Sequence, residues 1–185
     1  AKESVVANSS WTRDRLLESG VEAEQIRVIV GGMDAGLFSP TADRPGLRKS
    51  LGLDAEDIVL VTAGNLSGKK NFDTVIRALA RLIGQGHDNL RHVVVGDGPE
   101  EEDLKCLAND LQIADRVLFV GRKSQADLAG YYQAADLYVQ ASRNHRLESG
   151  EVDVETMGRT YFEAGGCEIP VIGARVGGVP SVIEN

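Results

Sequence analysis

Glu155 and Glu163 stand eight residues apart in the stretch ETMGRTYFE, with Gly158 between them. Two carboxylates spaced this way around a glycine that opens a helix-like segment could grip a phosphorylated, polyhydroxy ligand. The first backbone N–H groups of a helix have no partner inside it, so a helix opening at 158–160 would offer Gly158, Arg159 and Thr160 to a phosphate. Gly158, without a Cβ, would let that ligand approach the backbone closely. Glu163 lies five residues further on, about 7.5 Å at helical rise. That is comparable to the span from a nucleotide's diphosphate to its ribose diol, which a carboxylate can hold through two charge-assisted hydrogen bonds. Glu155, ahead of the helix, would fall on the other side of the phosphates. The bland alternative is two unrelated glutamates, one on a loop and one on a helix surface. Tyr161, Phe162 and Ala164 around Glu163 speak for a cleft-facing position.

Three further glycine-bearing stretches could bind phosphate. VTAGNLSGKKNFDT places Gly64, Asn65, Gly68, Lys69 and Lys70 between a strand-like and a helix-like run. A nucleotide-hydrolysing P-loop needs a wider glycine spacing and a Ser or Thr after the lysine, where this chain has Asn71. ATP hydrolysis is therefore not expected. A looser phosphate loop presenting a lysine ammonium and a solvated lysine pair on a turn both stay open. VVVGDGPEEED has Glu101 where a dinucleotide fingerprint needs its third glycine, so it reads as a tight turn and a capped helix, with no nicotinamide cofactor. ARVGGVPSVIEN reads as a structural turn before another helix start.

The elements that must position these residues alternate. Short Val- and Ile-rich runs lie at 26–30, 57–63, 92–96, 116–120, 136–140 and 170–173, without polar alternation, as strands buried on both faces of a parallel sheet require. Helix-like segments lie between them near 72–84, 99–112, 125–134 and 158–167. The expected fold is α/β, a doubly wound parallel sheet of Rossmann-like type. In such sheets ligands bind at the carboxyl ends of the strands, where the loop 141–157 would lie. The opening VVANSSWTRDRLLESG predicts a strand, a Ser-capped helix and a closing Gly20. Residues 31–46 carry four glycines and two prolines and read as an irregular connection. Residues 1–25 are expected to be the tail of a preceding domain, and 26–185 the domain proper.

Composition narrows the partners. A net charge of −8 argues against a nucleic-acid surface. No apolar run approaches the roughly 20 residues of a membrane span. Cys106, Cys167 and three scattered histidines make no metal-ligand spacing and no disulfide framework, so a reducing cytoplasm is the simplest home. The chain starts inside an element without an initiator Met, as an excerpt of a longer protein would.

Six stretches in order resemble the retaining glycosyltransferases of the GT4 type, whose fold is called GT-B. VVANSSWTRDRLLESGVEAEQIRVIVGGMDAGLF is similar to the family's passage from acceptor to donor domain. AGNLSGKKNFDTVIRAL resembles its phosphate loop, VVVGDGPEEEDL and DRVLFVGR its middle strands, and YYQAADLYVQASR the strand before its active loop. ETMGRTYFEAGGCEIPVIGARVGGVPSVI resembles its Glu-x7-Glu motif.

The resemblance implies a donor-binding domain cut short at its carboxyl end, and transfer of a sugar from a UDP- or GDP-sugar with retention of configuration. Lys70 would hold the donor diphosphate and Glu163 the ribose, while Glu155 would contact the sugar near its reacting carbon. Met157, Gly158 and Arg159 would offer backbone amides, and Gly121 and Arg122 would line the base. Gly64 and Asn65 belong to the phosphate loop, and Asn65 replaces an arginine common in the family, leaving diphosphate neutralisation to Lys70, helped by Lys69. No cofactor or metal is implied. The acceptor, a sugar, glycan or lipid-linked sugar, would bind through a further amino-terminal domain. The fragment alone is expected to be inactive. The loop ESGEVDVETMGR is similar to that of GDP-mannose-using mannosyltransferases acting on phosphatidylinositol, which fits a peripheral place at the inner membrane face. A non-catalytic nucleotide-sugar-binding module and a nucleotide-sugar epimerase are the alternatives.

Overall fold

The structure, a computed structural model, describes residues 3–183. The first part of the chain runs through β1 (Val5–Ala7), α1 (Ser10–Glu18), β2 (Ile26–Val28) and α2 (Arg44–Ser50). Next come β3 (Ile58–Ala63), α3 (Phe72–Ile83), β4 (Leu90–Val95), α4 (Glu101–Asp110) and β5 (Val117–Gly121). The last part holds α5 (Gln125–Ala134), β6 (Leu137–Gln140), β7 (His145–Arg146), β8 (Val152–Asp153), α6 (Arg159–Gly166) and β9 (Val171–Gly173).

Five strands pair in parallel in the order β5-β4-β3-β6-β9. The chain winds outward from β3 through β4 to β5, then returns to the other side of β3 as β6. The strand order therefore reverses at β3, leaving a crevice above its carboxyl end. Both faces are covered. Val61, Val93, Tyr132, Tyr138, Tyr161 and Phe38 form one core, which α5 and α6 help to build. Leu66, Phe72, Ile76, Leu79, Val94 and Leu104 form the other, under α3 and α4. In α3 the buried positions Phe72, Val75, Ile76 and Leu79 fall at i, i+3, i+4 and i+7, so one helix face meets the sheet.

Five features differ from the sequence expectation. The run at 26–30 gives β2, which does not join the main sheet. It pairs in parallel with β1 as a separate two-stranded unit. The connection 31–46 ends in a helix, α2, started by Asp43, whose carboxylate accepts the Gly46 N–H, and by Pro45 in the first turn. α4 opens at Glu101 rather than Pro99, and Glu100 N–H is taken by the Leu66 carbonyl at 3.1 Å. The loop 141–157 contains the antiparallel hairpin β7–β8. The helix start read beyond Pro180 is a 3-10 turn over Val179–Ser181, and Glu184 and Asn185 lie outside the described residues. At the opening, Ser9 caps α1 by accepting the Thr12 N–H, and Gly20 follows with φ +88°.

Candidate functional site

Gly158 has φ +85° and ψ 74°, and from it α6 runs inward under the crevice. Glu155 lies just ahead of this turn and is buried. Lys70 reaches it from the loop after β3, and its Nζ donates to Glu155 Oε2 at 2.5 Å. Side-chain exposures of 12% and 10% make this a largely dehydrated pair. The two charges are strongly coupled there, and either one without the other would be costly to keep.

Glu163 is one turn and a half further along α6, 5% exposed. Tyr132 Oη, from α5, donates to its Oε2 at 3.3 Å. Burial raises the Glu163 pKa, while Tyr132 and the charges of Arg159 and Lys70 pull the other way. Beside it Tyr138 Oη donates to Thr160 Oγ1 at 2.7 Å, and Tyr161 Oη to the Gln140 carbonyl at 3.0 Å. These tyrosines stack edge to face and fix the first turn of α6 against β6.

Two clefts adjoin along this turn. One, of about 360 Å³, is lined by Lys70, Glu155, Thr156, Met157 and Gly158, with Asn8 from the opening segment. The other, of about 400 Å³, is lined by Gly64, Asn65, Gly96, Asp97, Arg122 and Lys123. Arg159, Thr160 and Glu163 border both. Of the residues singled out in the sequence for donor contact, Gly121 lines neither, and nor does the helper Lys69. It ends β5 with φ +69° and its carbonyl accepts the Gly96 N–H at 3.0 Å, which turns the chain so that Arg122 faces the cleft. Met157 is turned partly away, its sulfur accepting the Gly31 N–H at 3.3 Å.

Lys69 does not help Lys70 at the clefts. It pairs with Asp153 of β8 at 2.9 Å. The positive groups that sequence reasoning missed are Lys123 and the Arg159 side chain, the latter expected only as a backbone contributor. A cation in the first turn of a helix is unfavourably placed against the helix dipole unless an anion joins it there. Tyr132 was missed as well; its place opposite Glu163 depends on how α5 and α6 pack, which no sequence spacing encodes.

The remaining glycine motifs serve these loops. A Cβ on Gly96 would lie 1.9 Å from the Gly64 carbonyl oxygen, so GDG lets β4's end pass against the phosphate-loop candidate. Gly178 N–H donates to the Glu155 carbonyl at 2.8 Å, and a Cβ there would meet the Thr156 oxygen at 1.7 Å. The carboxyl-terminal turn thus holds the backbone on which Glu155 is mounted. Among the described residues no group of three or more His, Cys, Asp or Glu is placed to hold a metal. Among them, too, no helix is long and apolar enough to cross a membrane.

Residues 43–185 match the family model described as glycosyl transferases group 1. The chain belongs to that family. As a group 1 glycosyl transferase it is 32% identical over 178 residues to a GDP-mannose-dependent alpha-(1-6)-phosphatidylinositol monomannoside mannosyltransferase of Mycobacterium tuberculosis, covering 96% of this chain and 45% of that one. It is 33% identical over 174 residues to an alpha-monoglucosyldiacylglycerol synthase of Streptococcus pneumoniae, covering 92% and 37%. The crystal structure of Anabaena Alr3699/HepE in complex with UDP and glucose superposes with a TM-score of 0.83 at 28% identity, over 99% of this chain and 47% of that one. The chain thus spans under half the length of each of these relatives. The fold is the carboxyl-terminal, Rossmann-like half of a GT-B glycosyltransferase, as the motif resemblance implied.

Proposed function

We propose that this group 1 chain supplies the nucleotide-sugar donor site of a retaining hexosyltransferase. The observation that carries the reading is the pair of adjoining clefts that share the first turn of α6, with Glu163 where they meet. A nucleoside fits the cleft of Gly64, Asn65, Arg122 and Lys123, with its ribose hydroxyls on Glu163. The diphosphate lies over the free N–H groups at 158–160, and the sugar beside Glu155. UDP in the Anabaena neighbour and GDP-mannose in the mycobacterial relative's name support a nucleotide-sugar ligand of this class.

Departure of the nucleoside diphosphate builds negative charge where the α6 amides, Lys70 and Arg159 converge. Fixed donors aimed at developing charge in a poorly hydrated site stabilise such a leaving group, and no metal is needed for that role. Arg159 supplies the charge that Asn65 does not. Glu155 is placed to hold the sugar and to stabilise positive charge at its anomeric carbon. Its partnership with Lys70 favours this electrostatic role over that of a covalent nucleophile, since a carboxylate oxygen bonded to an ammonium is a weakened nucleophile.

Residues 26–185 form the donor half in this reading, and residues 1–25 lead in from an acceptor half that binds a sugar, glycan or lipid-linked sugar. In this reading the whole enzyme works in the cytoplasm at the inner membrane face; the phosphatidylinositol and diacylglycerol in the relatives' names support a lipid-bearing acceptor. Calorimetric titration with UDP, GDP and ADP, with and without magnesium, tests the site. One diphosphate should bind without metal, and Glu163→Ala should weaken it by about 1.5–3 kcal/mol. Binding unchanged within about twofold by that substitution would sink the ribose assignment.

A further inference from the structure

Asn8 belongs to the turn between β1 and α1, a stretch with no role in the chemistry so far. Its side chain nevertheless lines the cleft that holds Lys70 and Glu155. Two bonds orient it. Thr12 Oγ1 donates to Asn8 Oδ1 at 2.7 Å, and Asn8 Nδ2 donates to Thr156 Oγ1 at a long 3.4 Å. Thr12 is itself bonded to the fully buried Ser9 hydroxyl at 3.0 Å. Ser10 is tied through both its N–H and its hydroxyl to Ser181 Oγ, at 3.2 and 2.8 Å. The turn is therefore fastened to the same carboxyl-terminal segment that holds the Glu155 backbone. The carboxamide oxygen is committed to α1, and its NH2 is left on the cleft side. An NH2 group has two N–H donors, and among the described residues Thr156 is the one partner this one has.

Beside Asn8, Glu155 can only accept, and Lys70 spends one of its three N–H donors on it. A sugar hydroxyl both donates and accepts, so a ring held by a carboxylate alone has half of its hydrogen-bonding capacity unmet. Asn8 supplies a neutral donor beside the carboxylate.

We infer that Asn8 is a specificity-determining residue of the donor site, its carboxamide N–H donating to a hydroxyl of the donor's glycosyl group while Glu155 accepts from the sugar. This rests on the donor-site reading above. It makes the opening segment a wall of the sugar subsite and not only a connection. It also predicts that the contact is felt by the sugar and not by the nucleoside diphosphate.

The test is titration of the wild-type protein, Asn8→Ala and Asn8→Asp with two ligand pairs, UDP with UDP-glucose and GDP with GDP-mannose. Asn8→Asp keeps the shape and the acceptor for Thr12, removes the N–H donors and adds a charge, which the diphosphate of each pair registers. In the pair that binds, both variants should lose about three- to tenfold in affinity for the sugar nucleotide relative to its diphosphate, the range for one neutral hydrogen bond. Diphosphate affinity of Asn8→Ala should stay within about twofold, which also reports an intact fold. A ratio of the two affinities that does not change in Asn8→Ala overturns the inference, whether both ligands weaken together or neither does. If the wild-type protein binds none of the four ligands, the donor-site reading itself fails and the role of Asn8 fails with it.

Discussion

At the scale of single residues, the structure separates groups that serve the clefts from groups that serve only the fold. His92 is the clearest of the second kind. It is fully buried in β4, its Nε2 2.8 Å from Thr62 Oγ1, and among the described residues its Nδ1 has no partner. Since Thr62 donates to the Val139 carbonyl, His92 must be the donor to Thr62, and its other nitrogen carries a bare lone pair. Burial pushes its pKa down to about 4. The unfolded chain takes up a proton on His92 near pH 6.5, and the folded one only near 4. Stability from this residue is therefore complete above pH 6.5 and drains away as the pH falls through that window, by about 3 kcal/mol in all. Denaturant midpoints at pH 7 and 4.5 should move apart much less in His92→Leu than in the wild type. Equal displacement in both would mean that His92 is not the group responsible. The carboxylates of the clefts were legible in the sequence because helix geometry fixes the distance from Gly158 to Glu163. The Arg159 side chain and Tyr132 were not, since both depend on which way a side chain leaves a packed helix.

At the scale of elements, what composition encodes is the strand that is buried on both sides. Val- and Ile-rich runs gave all five sheet strands to within a few residues, since a doubly covered sheet suits them. The run at 26–30 has the same composition, yet pairs with β1, because a parallel partner is chosen by chain path and not by residue type. The helix α2 was hidden by its prolines and glycines, of which Pro45 turns out to be a starter and not a breaker. The two-residue strands of β7–β8 are too short to leave a periodic signal. The turn at 177–178, read as structural, is structural in a way that reaches the candidate site. Gly178→Ala would drive a methyl group into the Thr156 carbonyl. Backbone cannot yield there as a flexible side chain could, so the loop carrying Glu155 must shift. The variant should lose about 2–4 kcal/mol of stability or bind the donor more weakly, or both. A thermal midpoint and a donor affinity equal to those of the wild type would show that the turn does not hold that loop.

At the scale of the whole molecule, the β1–β2 pair stands apart from the five-stranded sheet and exposes Val6 and Val28, with Ile29 and Val30 exposed just beyond it. A lone two-stranded unit has little stability of its own. Under the proposed organisation it is continued by the acceptor half, which also brings the attacking hydroxyl to the donor. This chain alone should therefore bind donor and transfer no sugar. Incubation with UDP-glucose or GDP-mannose and a lipid or sugar acceptor should give no glycosylated product. Turnover at ordinary enzyme rates would show that the acceptor site lies within these 185 residues.

The ion pair between Lys70 and Glu155 has a consequence for the order of events. Beyond a Debye length, about 8 Å at physiological salt, two such cancelled charges look like a small dipole and draw no anion toward them. On a protein of net charge −8, capture of a diphosphate is then decided on contact. Under the proposed reading the lysine, with three N–H donors, takes a phosphate oxygen and keeps the carboxylate. Donor binding then adds an anion to a site already arranged, and Glu155 stays held where the sugar comes to rest.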